Sequence, residues 1–377
     1  MNIGVDIRSL MDSQRSGVGE YGHQLLDKIF VSIANSGESG ILKSFLNTKD
    51  NQRIVFYLFY NSFKEIKHNL PKWNYSFVHY CGFRWPNKLL NLCLKFVRWP
   101  KLDKLIQAIF RPDLKQGLDH FIFLNQNFYA LSHSVKKIIV VHDLSFEIFP
   151  ECFSLKSRLW HKFVNLRKMA LDADAIIAVS ENTKLDLINL YKINSDKIRV
   201  IYPKIGNIEI RNSREGAGLG NYILFLGTIE PRKNVLGLLK AYELLHGGPK
   251  EKNFNLKVDF PDLWIAGKPG YKSKEVFKFW RSMRAKSKVK FLGYVDEDQK
   301  WELYAGARVF VYPSFYEGFG MPAAEAMSIG TPVITSLTSS MHEVVKENGI
   351  LIDPNRVEDL TQAMRALIEN VHDKIEI

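Results

Sequence analysis

The sequence predicts an α/β protein made of two doubly wound parallel-sheet domains. Three observations carry this. Short runs that are apolar at both alternating positions, mostly β-branched or aromatic, recur along the chain, as strands buried on both faces do. They alternate with amphipathic, helix-period segments, the order that builds parallel sheets flanked by helices. Eleven such runs in 377 residues are too many for one open sheet, and the length suits two domains at ~100–200 residues each.

In chain order the runs are Ile3–Ile7, Ile54–Tyr60, Phe121–Leu124, Lys137–Val141, Ala175–Val179, Ile198–Ile201, Tyr222–Leu226, Asp262–Ala266, Val289–Leu292, Val309–Tyr312 and Pro332–Thr335. Helical segments between them include Gly19–Phe30, Ser157–Leu171, Thr183–Tyr191 and Gln299–Ala307. The seam is expected near 202–221. There Tyr202-Pro203 follows a strand, and a Gly-rich polar stretch, Asn212 to Asn221, precedes the next one. The expected domains are 1–205 and 206–377. No repeat of solenoid period is present.

Composition narrows the function classes. The chain is 46% hydrophobic and 24% charged, which excludes a disordered chain. Lys and Arg number 52 against 40 Asp and Glu, a net charge of +12 that points to an anionic partner: phosphate, a membrane surface or nucleic acid. Cys81, Cys93 and Cys152 form no CxxC pattern, which argues against structural zinc or a disulfide framework and for a reducing compartment. The N-terminus reads as a buried first strand, not a signal peptide, and no run of ~18 apolar residues occurs. A cytoplasmic protein that does not cross the membrane is expected.

Half of the net charge lies in residues 81–118, where Arg84, Lys88, Lys95, Arg98, Lys101, Lys104, Arg111 and Lys115 face only Asp103 and Asp113. Leu89, Leu92, Cys93, Phe96 and Val97 form an apolar helical stripe, Lys88, Asn91, Lys95 and Arg98 lie on the other side, and Trp85 and Trp99 flank it. Two readings stand level: a helix for an anionic membrane interface, or a core-packed helix with a basic solvated face. No RRM, helix-turn-helix or zinc-finger pattern accompanies the charge, so nucleic acid is not expected as a partner.

Two stretches carry the chemistry. In Tyr222 to Asn234 a strand ends at Gly227, a loop presents Thr228, Glu230, Arg232 and Lys233, and a helix begins near Asn234. Adjacent cations at a strand's C-terminal end and a helix N-terminus suit a diphosphate: a guanidinium fork, a compact ammonium and the helix dipole act together. In Val309 to Ile334 a strand ends at Pro313. Glu317-Gly-Phe-Gly follows, and a helix opens at Met321-Pro322. Gly318 and Gly320 let backbone approach a ligand. Glu317 and Glu325 can accept hydrogen bonds from sugar hydroxyls, although Glu325 is also explained by its place in the helix's first turns.

These motifs, Glu-x7-Glu after Tyr-Pro-Ser, Gly-Thr-Ile-Glu-Pro-Arg-Lys-Asn and Phe291-Leu-Gly-Tyr-Val295, resemble the retaining glycosyltransferases of family four, above all the bacterial mannosyltransferases that build O-antigen and exopolysaccharide. The resemblance covers nearly the whole chain, strongest over 222–354 and 137–203 and weakest over 31–120. It implies the GT-B architecture: two Rossmann-like domains facing across a cleft, acceptor on the N-terminal one, nucleotide-diphosphate sugar on the C-terminal one.

By motif, the resemblance assigns Arg232 and Lys233 to the departing diphosphate, Glu317 to the donor sugar and Glu325 to the ribose. Backbone N–H groups of Phe319, Gly320 and Met321 meet sugar and phosphate; Tyr294 and Val295 border the base; Thr228 belongs to the donor loop. In the N-terminal half, the loop Arg15 to Tyr21 contributes Gly17 and Gly19. His142 is placed beside the anomeric centre, with Asp143 hydrogen-bonding the sugar. Ser180 reads first as a helix N-cap, Thr183 in the same first turn, with a minor place at the cleft.

Asp172-Ala-Asp174 and Asp296-Glu-Asp298 match the Asp-x-Asp pattern that holds a metal in other glycosyltransferases, but they read as turn and helix-cap residues, and no metal cofactor is expected. The implied mechanism loosens the anomeric bond toward an oxocarbenium-like state while charge grows on the β-phosphate, and the acceptor attacks from the same face. Relatives continue past Asp353-Pro354 with two helices, the last crossing back to the first domain; here one, Val357–Asn370, precedes Ile377.

The reading is therefore a peripheral, cytoplasmic-face enzyme moving a hexose, with mannose favoured and GDP-mannose or another nucleotide sugar as donor, to a lipid-linked glycan. The alternative is a truncated relative that binds nucleotide sugar or a partner without turnover. A nucleotide-sugar epimerase on the same fold and a basic nucleic-acid binder fit the motifs less well.

Overall fold

The computed structural model describes residues 1–11, 17–46, 52–61, 70–110, 114, 116–205, 220–247 and 260–372. Most of the expected seam and part of the first loop, Arg15 included, lie outside the described residues, as do Arg111, Asp113 and Lys115. Contacts group the chain into two units: Met1–Leu144 with Leu159–Lys204, and Ser145–Arg158 with Ile205–Ile377. The excursion of Ser145–Arg158 into the second unit is one that a single boundary at 205 does not anticipate.

The first unit holds a seven-stranded parallel sheet of β1 (Asn2–Asp6), β2 (Val55–Asn61), β3 (Val78–Phe83), β4 (His120–Phe123), β5 (Lys136–Val141), β6 (Ala175–Ala178) and β7 (Ile198–Val200), in the order β3-β2-β1-β4-β5-β6-β7. Register pairs Ile3 with Phe56 on one side and with His120 on the other. Ile3, Val5, Phe56, Leu58 and Phe121 are wholly buried, as strands covered on both faces require.

The second unit holds six parallel strands: β8 (Tyr222–Leu226), β9 (Asp262–Ala266), β10 (Val289–Gly293), β11 (Val309–Tyr312), β12 (Val333–Ser336) and β13 (Ile350–Ile352), in the order β10-β9-β8-β11-β12-β13. Both sheets carry the doubly wound order. The strand sequence reverses between β1 and β4 in one and between β8 and β11 in the other, and the crevice at such a switch point is where open α/β sheets bind ligands. At the carboxyl ends of β8 and β9 the backbones come together. A Cβ at Gly267 (φ +148°) would lie 1.8 Å from the Gly227 carbonyl oxygen, so only glycine fits there.

Three local features depart from the sequence reading. β3 escapes detection because Val-His-Tyr-Cys-Gly-Phe is only half buried and carries a histidine and a glycine. The helix expected over Ser157–Leu171 is two, Leu155–Val164 and Leu166–Asp172. Asn165 divides them: it adopts a left-handed conformation (φ 59°), and its side chain accepts from Lys168 N–H to cap the second helix. Finally, the apolar stripe of residues 89–97 faces outward. Leu92 is 57% exposed and Phe96 and Val97 each 68%, whereas Leu90 and Leu94 are buried. The segment is pinned by those two leucines, on the helix Asn87–Leu92 and the π-helical turn Cys93–Val97, so core packing does not account for the stripe.

Candidate active site

The C-terminal ends of β8 and β11 bring together three of the residues singled out in sequence, Arg232, Lys233 and Glu317. After β8 the chain makes a short 3₁₀ turn, Pro231–Lys233, whose proline has the preset φ of a first helical position. Asn234 then enters the left-handed region (φ 55°), and its side chain accepts from Gly237 N–H to cap the helix Val235–Leu245. Its amide also donates to Pro354 O at 2.8 Å, tying this loop to the end of β13. The next loop is stitched on by Phe315 N–H donating to Arg232 O at 2.9 Å.

Arg232, Lys233 and Glu317 form one cluster. Lys233 Nζ donates to Glu317 Oε1 and to the Tyr312 hydroxyl, each at 2.5 Å. Arg232 Nη1 donates to Glu317 Oε2 at 3.0 Å and to Tyr316 O at 2.7 Å, while Nη2 donates to Glu230 Oε1 at 3.0 Å. Glu317 N–H donates to Ser339 Oγ, and Ser340 Oγ–H donates to Glu317 O. Lys233 and Glu317 are buried. Burial alone would push the Glu317 carboxyl up, but the two cations hold it at about 2. Burial and Arg232 push the Lys233 ammonium below the usual lysine range against the pull of Glu317. The cluster is a pair of cations whose orientation is set by a shared ionised carboxylate.

The helix Met321–Ser328 starts at Gly320, whose φ of +96° favours glycine and whose Cβ would meet the Met341 sulfur at 2.5 Å. The N–H groups of its first turn belong to the same loop as Glu317. Glu325, four residues into this helix, has its own partners: Lys300 Nζ donates to Oε1 at 2.9 Å and the Tyr304 hydroxyl to Oε2 at 3.0 Å. Burial raises its pKa, opposed by Lys300. The helix-dipole explanation for Glu325 is therefore incomplete. Lys300, on the helix Glu297–Gly306, is the residue that sequence reasoning missed, because its partner lies 25 positions away.

Thr228 is exposed at the β8 end. Tyr294, also exposed, carries Lys268 Nζ 4.5 Å above its ring, and Val295 beside it is half buried. Phe319 is half buried next to Gly320.

In the first unit His142 follows β5. Its Nε2–H donates to Leu124 O at 2.7 Å, which leaves Nδ1 as the acceptor of the neutral ring, and Tyr21 meets the ring edge-on at 5.5 Å. Burial lowers its pKa, against the Leu124 carbonyl and Asp143, so the ring is neutral at pH 7. Asp143 is half buried beside it. Ser180 caps the helix Glu181–Tyr191 by accepting from Thr183 N–H at 3.0 Å, and Thr183 Oγ1–H donates to His142 O at 3.4 Å. Gly17 opens the helix Gly17–Ser36, where an added side chain would meet nothing among the described residues; Gly19, two residues in, is buried. The β1 end carries a pair that the sequence did not disclose. Arg8 grips the buried Asp6 carboxylate at 2.6–3.1 Å, donates to Phe128 O and lies over the Phe59 ring.

Among the described residues no three His, Cys, Asp or Glu side chains gather as a metal-ligand set. Asp296 forms a capping box with Gln299, and Asp174 accepts from Lys137 N–H at 2.8 Å. All three cysteines are free. No helix among the described residues is long and apolar enough to cross a membrane.

Two family models tile the chain: glycosyltransferase family 4 over residues 50–205 and glycosyl transferases group 1 over residues 207–375. The chain belongs to these glycosyltransferases. The glycosyltransferase chain is 33% identical over 250 residues to O-antigen chain mannosyltransferase B of Escherichia coli, covering 64% of itself and 63% of that protein. It is 28% identical over 237 residues to the Salmonella typhimurium O-antigen chain mannosyltransferase RfbU, covering 63% of itself and 62% of that protein. The alignments thus span under two thirds of these relatives' own length. Among solved structures it is similar to sucrose-phosphate synthase of Thermosynechococcus elongatus (TM-score 0.65, 17% identity, 98% of this chain and 90% of that one). It is also similar to Anabaena HepE, solved with UDP and glucose (TM-score 0.58, 18% identity, 98% and 90%). At these identities the likeness is one of fold, and the fold is GT-B.

Proposed function

We propose that the chain is a retaining glycosyltransferase that moves a hexose, mannose in the first instance, from a nucleotide-diphosphate sugar to a lipid-linked glycan in cell-surface polysaccharide synthesis. The observation that carries this reading is the Arg232–Lys233–Glu317 cluster at the β8/β11 switch point, beside the N-terminus of the helix Met321–Ser328. Two cations fixed before a ligand arrives stabilise charge that grows on a departing diphosphate without reorganising at the moment of reaction. The mannosyltransferase names of the two relatives support the choice of sugar.

In this reading Arg232 and Lys233 keep the orientation that Glu317 sets and meet the charge that grows on the β-phosphate as the anomeric bond loosens. Glu317 accepts from the sugar hydroxyls and Glu325 from the ribose. Tyr294 and Val295 border the base, with Thr228 and the N–H groups of Phe319, Gly320 and Met321 on sugar and phosphate. Gly17 and Gly19 belong to the first loop, and His142 with Asp143 orients the sugar. No metal is required, because the two cations do its electrostatic work. The outward stripe and basic charge of residues 81–118 bring the chain to an anionic membrane surface on the cytoplasmic face.

The test is transfer from GDP-mannose to a lipid-linked O-antigen intermediate, followed by NMR of the new anomeric centre. An α-linked product from the α-configured donor, formed equally with EDTA present, is expected. An inverted product, or loss of transfer with EDTA, contradicts the reading, and donor binding without any transfer favours the non-catalytic relative.

A further inference from the structure

The first unit contains a cavity of about 700 Å³ lined by Lys95, Arg98, Lys101, Lys137 and Lys168 against a single carboxylate, Asp172. Three of these cations bond backbone carbonyls: Lys95 Nζ donates to Phe163 O, Lys101 Nζ to Leu131 O at 3.4 Å and Lys137 Nζ to Asp172 O at 3.5 Å. None of the five forms an ion pair among the described residues. Five cations gathered in a concave wall with one carboxylate among them attract an anion.

What surrounds the cavity says which kind of anion. Lys95 and Arg98 belong to the segment whose Leu89, Leu92, Phe96, Val97 and Trp99 stand exposed. The bond from Lys95 to Phe163 O sets a second exposed apolar group, Leu159, Trp160 and Phe163, alongside. A soluble anion has no use for so wide an apolar rim. An amphiphile in a bilayer does: its headgroup meets the cations and its neighbours' acyl chains receive the rim.

We propose that this cavity is a binding site for the phosphate headgroup of an anionic membrane lipid, with the 89–99 segment and the Leu159–Phe163 turn seated in the leaflet. The proposal deepens the membrane reading above by naming the site and its ligand, and the two triple variants distinguish its failure from the failure of that reading. Its readout is binding, so it does not depend on turnover.

The experiment is co-sedimentation of the full chain with phosphatidylcholine vesicles with and without phosphatidylglycerol. Arg98→Gln/Lys137→Gln/Lys168→Gln should weaken binding to the anionic vesicles about a hundredfold, at roughly fivefold per cation. An equal charge removal at Lys274, Lys278 and Arg281, on the helix Ser273–Ser282 of the second unit, should weaken it less than fivefold. Phe96→Ser/Val97→Ser, which leaves the charge intact, should abolish it. Melting curves and circular dichroism matching the wild type show that the variants are folded.

Equal losses in the two triple variants overturn the cavity and leave a general electrostatic attachment. Binding to no vesicle overturns both readings. Two further results overturn the proposal: inorganic pyrophosphate raising the melting temperature through the cavity cations while vesicles do not bind, which assigns the site to a soluble phosphate; or a dimer in light scattering that Phe96→Ser/Val97→Ser dissolves, which makes the patch a self-interface.

Discussion

Two cationic regions of this molecule differ in how their charge is matched. Arg232 and Lys233 are each matched by carboxylate, with Glu317 between them and Glu230 on the far side of the guanidinium. The cations of the first-unit cavity have one carboxylate among five of them. The matched pair is held in place before any ligand arrives, which is what transition-state stabilisation needs. In the unmatched group three of the five bond backbone carbonyls, and the group has charge to spare, which is what capture of an anion needs. In the proposed reading, compensation, more than the number of charges, separates the catalytic site from the attachment site.

The comparison can be broken at several points. The largest effect is expected at Lys233. Lys233→Ala should lower turnover by roughly 150-fold, about 3 kcal/mol of transition-state stabilisation, with a smaller change in KM. Near-wild-type turnover would remove the catalytic half of the contrast.

Next comes pH. Glu317 titrates at about 2 in the fold against an ordinary 4.5. The unfolded state therefore binds more protons between those values. The stabilisation from Glu317 is complete above 4.5 and is lost as the pH falls toward 2. Thermal melts from about pH 6 down to about pH 3 should fall more steeply for wild type than for Glu317→Gln; parallel curves would show that the carboxylate is not held by its cations.

The smallest effect is at Ser180, whose hydroxyl caps a helix. Ser180→Ala should cost about 1 kcal/mol in denaturant unfolding and leave turnover unchanged, and a loss of turnover without loss of stability would give it a part in the site.

The contrast also shows what the sequence can carry. Strands such as Tyr222–Leu226 and Val309–Tyr312 are legible because burial on both faces forces continuous apolar runs. The site loops are legible because Glu-Pro-Arg-Lys and Glu-Gly-Phe-Gly each concentrate their chemistry in consecutive residues. Pairings across the fold are not. Lys300 with Glu325 and Lys233 with Tyr312 each join positions 25 or more apart, and nothing local marks them. The direction of the 89–97 stripe was equally hidden, because periodicity defines a face without saying whether core or solvent lies against it. Leu90 and Leu94, outside the stripe, turned out to be the anchors.

The measurement that bears most directly on this account is a melting-temperature and titration panel of GDP-mannose, UDP-glucose, UDP-galactose, UDP-GlcNAc and the free nucleotides, with and without EDTA, on wild type and on Lys233→Ala. A ligand that binds only the folded state raises its melting temperature. The account predicts a selective rise with one nucleotide sugar, unchanged by EDTA and greatly reduced in Lys233→Ala. Folded protein that responds to none of them, or a response that Lys233→Ala leaves intact, would contradict it.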